Sequence, residues 1–216
     1  VLDTLARDCP NFAPGENNAY NNNGFAVVED IVEALSGTNY PAFVTENLFE
    51  PMGMLSSTYH GTEPVARSYV GGIRYPNEII NAAGGGGVYS SVLDMGQYIQ
   101  TLLAWGVSPM QFAVLESNSV AALWRDETTN VSFRFTERYF KPGLGWDCIA
   151  DPEFDYAGVA HNKNGGGETF GGLLEVIPGR GLGVIVLNNY PGDTAARPVA
   201  VEALRWSFGR PGLSRK

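Results

Sequence analysis

Apolar residues along this chain recur at helical spacing up to about residue 135 and in short dense runs after it. In GFAVVEDIVEALSG, residues 24–37, the residues Phe25, Val28, Ile31, Val32 and Leu35 fall on one helical face. That pattern predicts an amphipathic helix, with Gly37 where a left-handed cap would close it. Next, TNYPAFVTENLFEPMGM predicts a short helix opened by Pro41 and ended before Pro51. In SVLDMGQYIQTLLAWG, Ser91 and Asp94 resemble a capping box, and Leu93, Ile99, Leu102 and Leu103 supply a stripe for burial. Ser108-Pro109 predicts a further helical stretch reaching about Trp124. Between these lie loops rich in Asn, Gly and Pro, NFAPGENNAYNNNG and NAAGGGG.

After residue 135 the runs GLGWDCIA, GVAHNK, GGLLEVIP and LGVIVLNN are short, β-rich and bounded by Gly, Pro or Asn. PGRG between the last two predicts an antiparallel hairpin. DTAARPVAVEALRWSFG predicts a closing helix with Asp193 as N-cap, Pro198 in its first turn, and Val199, Leu204 and Phe208 toward a core. The expected organisation is therefore a mostly helical part, residues 1–135, followed by an α/β part, residues 136–216.

Composition changes this picture little. A chain of 216 residues, 44% hydrophobic and 17% charged, is long enough to bury a sizeable core as one large domain or two small ones. The net charge of −9 matters more. It argues against a nucleic-acid partner and against an anionic membrane surface, and no apolar run approaches spanning length. VLDTLARDCPNF has neither the basic start and apolar core of a signal peptide nor an initiator methionine, so the chain is expected to begin inside something longer. Cys9 and Cys148 are compatible with one disulfide or two separate thiols, and with two scattered histidines they make a structural zinc site a poor reading. The sequon Asn130-Val131-Ser132 is compatible with a non-cytosolic compartment.

Several motifs fail on context. GRGLG lies between two strands and opens no helix, and GGGG at 84–87 lacks the Gly-Lys-Ser/Thr of a phosphate loop. The acids Asp147, Asp151, Glu153 and Asp155 do not have EF-hand spacing and read better as a solvated loop than as a calcium site. Two segments remain. Tyr20-Asn21-Asn22 after Pro14-Gly15 reads alone as a turn, and Lys163-Asn164-Gly165 before GGLLEVIP reads alone as a hairpin entry with an exposed lysine.

Together and in this order they resemble the serine β-lactamase and penicillin-binding protein superfamily, in its class C β-lactamase, D-aminopeptidase and family VIII esterase branch. Tyr20-Asn21-Asn22 matches the Tyr-x-Asn motif, and FEPMGM matches the Pro-Leu-Gly-Met-like turn that follows it. GGGVYSSVLDMGQYI, Gly143-Leu144-Gly145-Trp146 and KNGGGETFGGLLEVIPGRGLGVIVLNN match three further landmarks, so the resemblance covers nearly the whole chain.

The resemblance implies a β-lactamase/transpeptidase-like α/β fold: a mostly helical subdomain, then antiparallel strands and a C-terminal helix, with the N-terminal part of the sheet missing from this chain. It implies that Tyr20 acts as general base or part of it, and that Asn22 holds the substrate and helps orient a catalytic lysine. Lys163 would present a cation to the cleft, and the N–H of Gly166 would be one of two oxyanion-hole donors. Asn164, Gly165 and Gly167 would line the substrate, with His161 beside them in the alternative His-x-Gly register. Asn164 replaces the usual Thr or Ser, which weakens the expectation of β-lactam or D-alanine carboxylate recognition. No metal or cofactor is implied.

The family's nucleophile lies in a Ser-x-x-Lys segment upstream of the tyrosine, and no Ser-x-x-Lys occurs in these 216 residues. The resemblance thus implies a partner: an N-terminal chain of the same precursor carrying that segment, with a small-molecule or peptide-like substrate between the two. The alternative is a family remnant without catalysis whose cleft binds a ligand or partner.

Overall fold

In the computed structural model, which describes residues 6–7, 9, 12–61, 64–80, 82–128, 132–133, 141–192 and 195–209, a loop leads through a two-residue strand, β1 (Asn17–Asn18), into helix α1 (Asn22–Ser36). The Asn21 side chain caps α1 by accepting from the N–H of Asn23, and Gly37 closes it at φ 71°. Helix α2 (Tyr40–Val44) has Asn39 as its cap and Pro41 in its first turn. It does not stop before Pro51. The chain widens into a π-helical stretch, Thr45–Phe49, and re-tightens into a last α turn, Glu50–Met52, so the N–H that Pro51 lacks falls where the ladder is already shifted. Val44, Phe49, Met52 and Met54 form the core of this region.

A small antiparallel pair, β2 (Ser68–Val70) and β3 (Ile73–Tyr75), precedes a loop whose 3-10 turn, Ala83–Gly85, lies on α1. Gly84 makes that approach, because a Cβ there would run into the carbonyl oxygen of Phe25, and its N–H donates to Glu29 Oε2 at 2.8 Å. Helix α3 (Val92–Leu103) is capped by Ser91 Oγ, which accepts from the N–H of Asp94. The Asp94 carboxylate does not return to the cap; it accepts from the Ser56 N–H and the Ser57 hydroxyl. The stretch from Ser108 is mostly turns, with Gln111 at φ 66°, and only α4 (Ser117–Leu123) is helical.

Strand β4 (Ser132–Phe133) pairs with β1 in parallel. Gly143-Leu144-Gly145-Trp146, expected as strand, is a loop held by isolated bridges of Cys148 to Lys141 and Asn162. The main sheet is antiparallel in the order β5 (His161–Gly166), β6 (Gly171–Ile177), β7 (Leu182–Asn188), and the β6–β7 turn is a 3-10 segment, Pro178–Arg180, ended by Gly181 at φ 62°. Helix α5 (Ala196–Ser207) closes the chain, with Pro198 in its first turn. Asp193, expected as its cap, and most of the sequon lie outside the described residues.

The sheet is covered on both faces. Ile99 and Leu102 of α3 meet Trp146, Ile149, Leu174 and Val176 on one side. Ala196, Ala200 and Leu204 of α5 meet Leu173 and Ile177 on the other, the two alanines keeping helix and sheet close. Thus α3, from the helical part of the sequence, completes the core of the sheet. The apolar face of α1 is open: Phe25, Val28, Ile31 and Leu35 are exposed by 37%, 49%, 51% and 84%. Leu93 and Val199, expected inward, are exposed.

Candidate active site

Strand β5 carries the chemistry because its residues sort by parity. In an antiparallel sheet every second residue turns its N–H and C=O to the same side, and side chains alternate between faces. Asn162 exchanges bonds with Cys148, and the N–H of Asn164 donates to Asp147 Oδ2 at 2.9 Å, both away from β6. Gly167 donates instead to Phe170 across the hairpin. The N–H of Gly166, two residues beyond Asn164 and paired with Gly171, is therefore directed along the outer edge of the sheet.

Side chains follow the same rule. Lys163 shares a face with its cross-strand partner Leu174, on the α3 side, and reaches Tyr20, whose ring centroid lies 5.5 Å from Nζ. Tyr20 is half exposed and stands immediately before the α1 cap, so the helix start fixes it against the strand. Asn22, the first residue of α1, is exposed, and its carbonyl lies against Gly85 of the glycine-rich loop. Lys163 Nζ donates to Asp147 Oδ2 at 3.0 Å and to the carbonyl of Asn164 at 2.5 Å. Gly165 has open space where a Cβ would stand, which leaves room for a ligand backbone. Asn164 is exposed and shares the α5-side face with Leu173, opposite to Lys163.

Two expected substrate contacts lie elsewhere. His161 is buried beneath Trp124 and Trp146, at ring distances of 4.9 and 5.7 Å, and burial lowers its pKa to about 4. It is a neutral core residue, because the strand has not yet emerged from under the α3 layer at that point. Gly167 has its N–H in the hairpin and its C=O bonded by Gly192, while the Glu78 carboxylate fills the position a Cβ would take. Glu78 Oε2 also accepts from the N–H of Glu168 at 2.7 Å.

Sequence reasoning missed Asp147 and Glu78. Asp147 is buried and directly follows the Gly-x-Gly-Trp landmark, a signal that could have separated it from the other acids. Glu78 sits in an irregular loop and carries no local signal. Asp151 and Glu153, read as solvated, are bonded to Arg197 and Arg205, and no group of three metal-ligating side chains occurs among the described residues.

A family model described as Beta-lactamase matches residues 1–205. This chain belongs to the beta-lactamase family. Two curated relatives agree with that: the D-alanyl-D-alanine-carboxypeptidase/endopeptidase AmpH of Escherichia coli (strain K12) is 27% identical over 178 residues, covering 81% of this chain and 46% of that protein. Penicillin-binding protein 4 of Amycolatopsis lactamdurans is 28% identical over 200 residues, covering 86% of this chain and 50% of that protein. Among solved structures, the octameric penicillin-binding protein homologue from Pyrococcus abyssi superposes with TM-score 0.77 at 24% identity, over 97% of this chain and 47% of that one. A class C beta-lactamase superposes with TM-score 0.74 at 17% identity, over 97% of this chain and 62% of that one. The beta-lactamase family is one of serine hydrolases, and its fold is the α/β arrangement described above. The chain spans about half the length of the curated relatives it matches.

Proposed function

We propose that this chain is the C-terminal part of a serine hydrolase that acts through an acyl-enzyme on amide, lactam or ester substrates. The nucleophilic serine comes from a Ser-x-x-Lys segment on a separate N-terminal chain. The observation that carries the reading is the meeting of Tyr20 and Lys163 beside the edge-directed N–H of Gly166. In that site the serine oxygen attacks the substrate carbonyl while its proton passes toward Tyr20. The N–H of Gly166 meets the negative charge that develops on the carbonyl oxygen. The adduct collapses by breaking the bond from the carbonyl carbon to the substrate nitrogen or alcohol oxygen, and that leaving group takes up the proton held at Tyr20. Water then attacks the ester formed on serine, releasing the acid and restoring the serine hydroxyl. Asn22 and the open edge at Gly165 border the substrate on its two sides. Peptide amides among the substrates are supported by the name of the Escherichia coli relative, a D-alanyl-D-alanine-carboxypeptidase/endopeptidase.

Labelling of the native material with a fluorophosphonate or a penicillin, read by denaturing gel and intact mass, tests the proposal. Label on a second polypeptide that co-purifies with this chain supports it. Absence of both label and second polypeptide overturns it.

A further inference from the structure

The cation expected to draw substrate carboxylates into the cleft is already occupied. Lys163 Nζ is 3.0 Å from Asp147 Oδ2 and 2.5 Å from the carbonyl oxygen of Asn164, so two of its three N–H bonds are taken by acceptors of the protein itself. Asp147 is not a loose surface partner. Its side chain is only 10% exposed, its carboxylate also accepts the Asn164 N–H at 2.9 Å, and its backbone is bonded to Asn162 and to Lys141. A pair held on both sides in this way has little net field to offer an incoming anion.

Further along the strand the sign reverses. The Glu78 carboxylate lies across Gly167, fixed by the Glu168 N–H at 2.7 Å, while the N–H of Glu78 donates to the Thr169 hydroxyl and the Tyr89 hydroxyl donates to its carbonyl. Glu168 itself is exposed. Among the described residues neither Glu78 nor Glu168 has a cationic partner in an ion pair. Along Lys163–Glu168, one cation thus stands with three carboxylates; the cation is paired with Asp147, while Glu78 lies against Gly167 and Glu168 follows it in the chain.

We propose that Asp147 withholds Lys163 from substrate carboxylates, so that the cleft takes uncharged or cationic acyl substrates in preference to anionic ones, with Glu78 extending that discrimination beyond Gly166. This rests on the cleft being the hydrolytic site proposed above. Asp147 is a specificity-determining residue that acts through Lys163, and Glu78 acts directly on the ligand.

Three aryl esters with the same acyl group test this, their leaving rings bearing a carboxylate, a carboxamide or an aminomethyl group. With the native material the carboxamide and aminomethyl esters should exceed the carboxylate ester in kcat/KM by about tenfold or more, and salt should narrow the gap. D147N keeps an oxygen for the Asn164 N–H while releasing Lys163, and should shift the ratio toward the carboxylate ester by about tenfold. E78Q, at a more accessible position, should shift it the same way by a few fold, and it remains informative if D147N does not fold. A wild-type preference for the carboxylate ester overturns the inference, as does a ratio unmoved in both variants. If none of the three esters is hydrolysed, the hydrolase reading fails. The charge inference is then read from dissociation constants of the three matching unreactive amides, where tightest binding of the carboxylate compound overturns it.

Discussion

Glu175 turns both carboxylate oxygens into the α5 side of the sheet, where neither finds a hydrogen-bond partner. Burial, reinforced by the charge of Asp151 and only partly opposed by Arg197, raises its carboxyl to about 9. The folded chain therefore holds this proton more tightly than the unfolded one. The stability it contributes is full below the ordinary carboxylate range and declines as pH climbs toward 9. Glu175→Gln, neutral at every pH, should flatten that decline and raise stability near pH 8 by on the order of 2 kcal/mol. Urea midpoints measured across pH would show it; a wild-type slope retained in the variant would refute it. His161 acts in the opposite sense: its burial in neutral form stabilises above the ordinary imidazole range and is lost as pH falls through about 4. For the chemistry, Tyr20→Phe should abolish acylation by the probe while thermal unfolding stays within about 1 kcal/mol of wild type, because the ring is half exposed. Normal labelling of that variant would remove the hydroxyl from the mechanism. The pairing of Tyr20 with Lys163 was legible from motif order, whereas the partners of Lys163 were not, since an ion pair between Asp147 and a lysine 16 residues away leaves no trace in local pattern.

At the scale of elements, the legible features were those governed by neighbouring residues. The Gly37 cap of α1, the Ser91 start of α3, the turn at Gly181 and the three strands all follow from turn chemistry and short-range pattern, whereas the Asn21 cap of α1 was read only as a turn. Two expectations gave way to tertiary structure. Pro51 ends no helix because the π-helical stretch before it moves the hydrogen-bond frame. The segment after Ser108 meets the helical pattern, yet its N–H groups bond Gly106 and Ser108 in turns, and only seven residues become helix. Substituting a glycine tests the β5–β6 hairpin more sharply than any helix. Gly167→Ala pushes the Glu78 carboxylate, the end of a flexible side chain, off the Glu168 N–H and should cost about 1 kcal/mol in chemical unfolding. Combining it with Glu78→Ala should restore most of the loss; no restoration would mean that the contact does not set the hairpin.

For the whole molecule, the sheet is sealed by α3 and α5, but α1 presents an apolar stripe that nothing among the described residues covers: Leu35 is 84% exposed and Ile31 51%. A stripe of this kind promotes association. The chain purified alone should bind a hydrophobic dye and self-associate, and Ile31→Ser with Leu35→Ser should reduce both without unfolding it. Unchanged dye binding in the double variant would place the sticky surface elsewhere. The periodicity of α1 was read correctly as amphipathic, but sequence pattern reports that a face is apolar and not what lies against it. One more consequence belongs to the parity of β5. A single strand of six residues serves three clients at once: alternate side chains for the cleft, alternate side chains for the buried acids, alternate amides for the open edge. Like a message read in a fixed frame, it tolerates a changed letter far better than an inserted one. One extra residue between Asn162 and Gly166 would exchange all three assignments together, so lengths should drift in the loops around this strand while its own length stays constant.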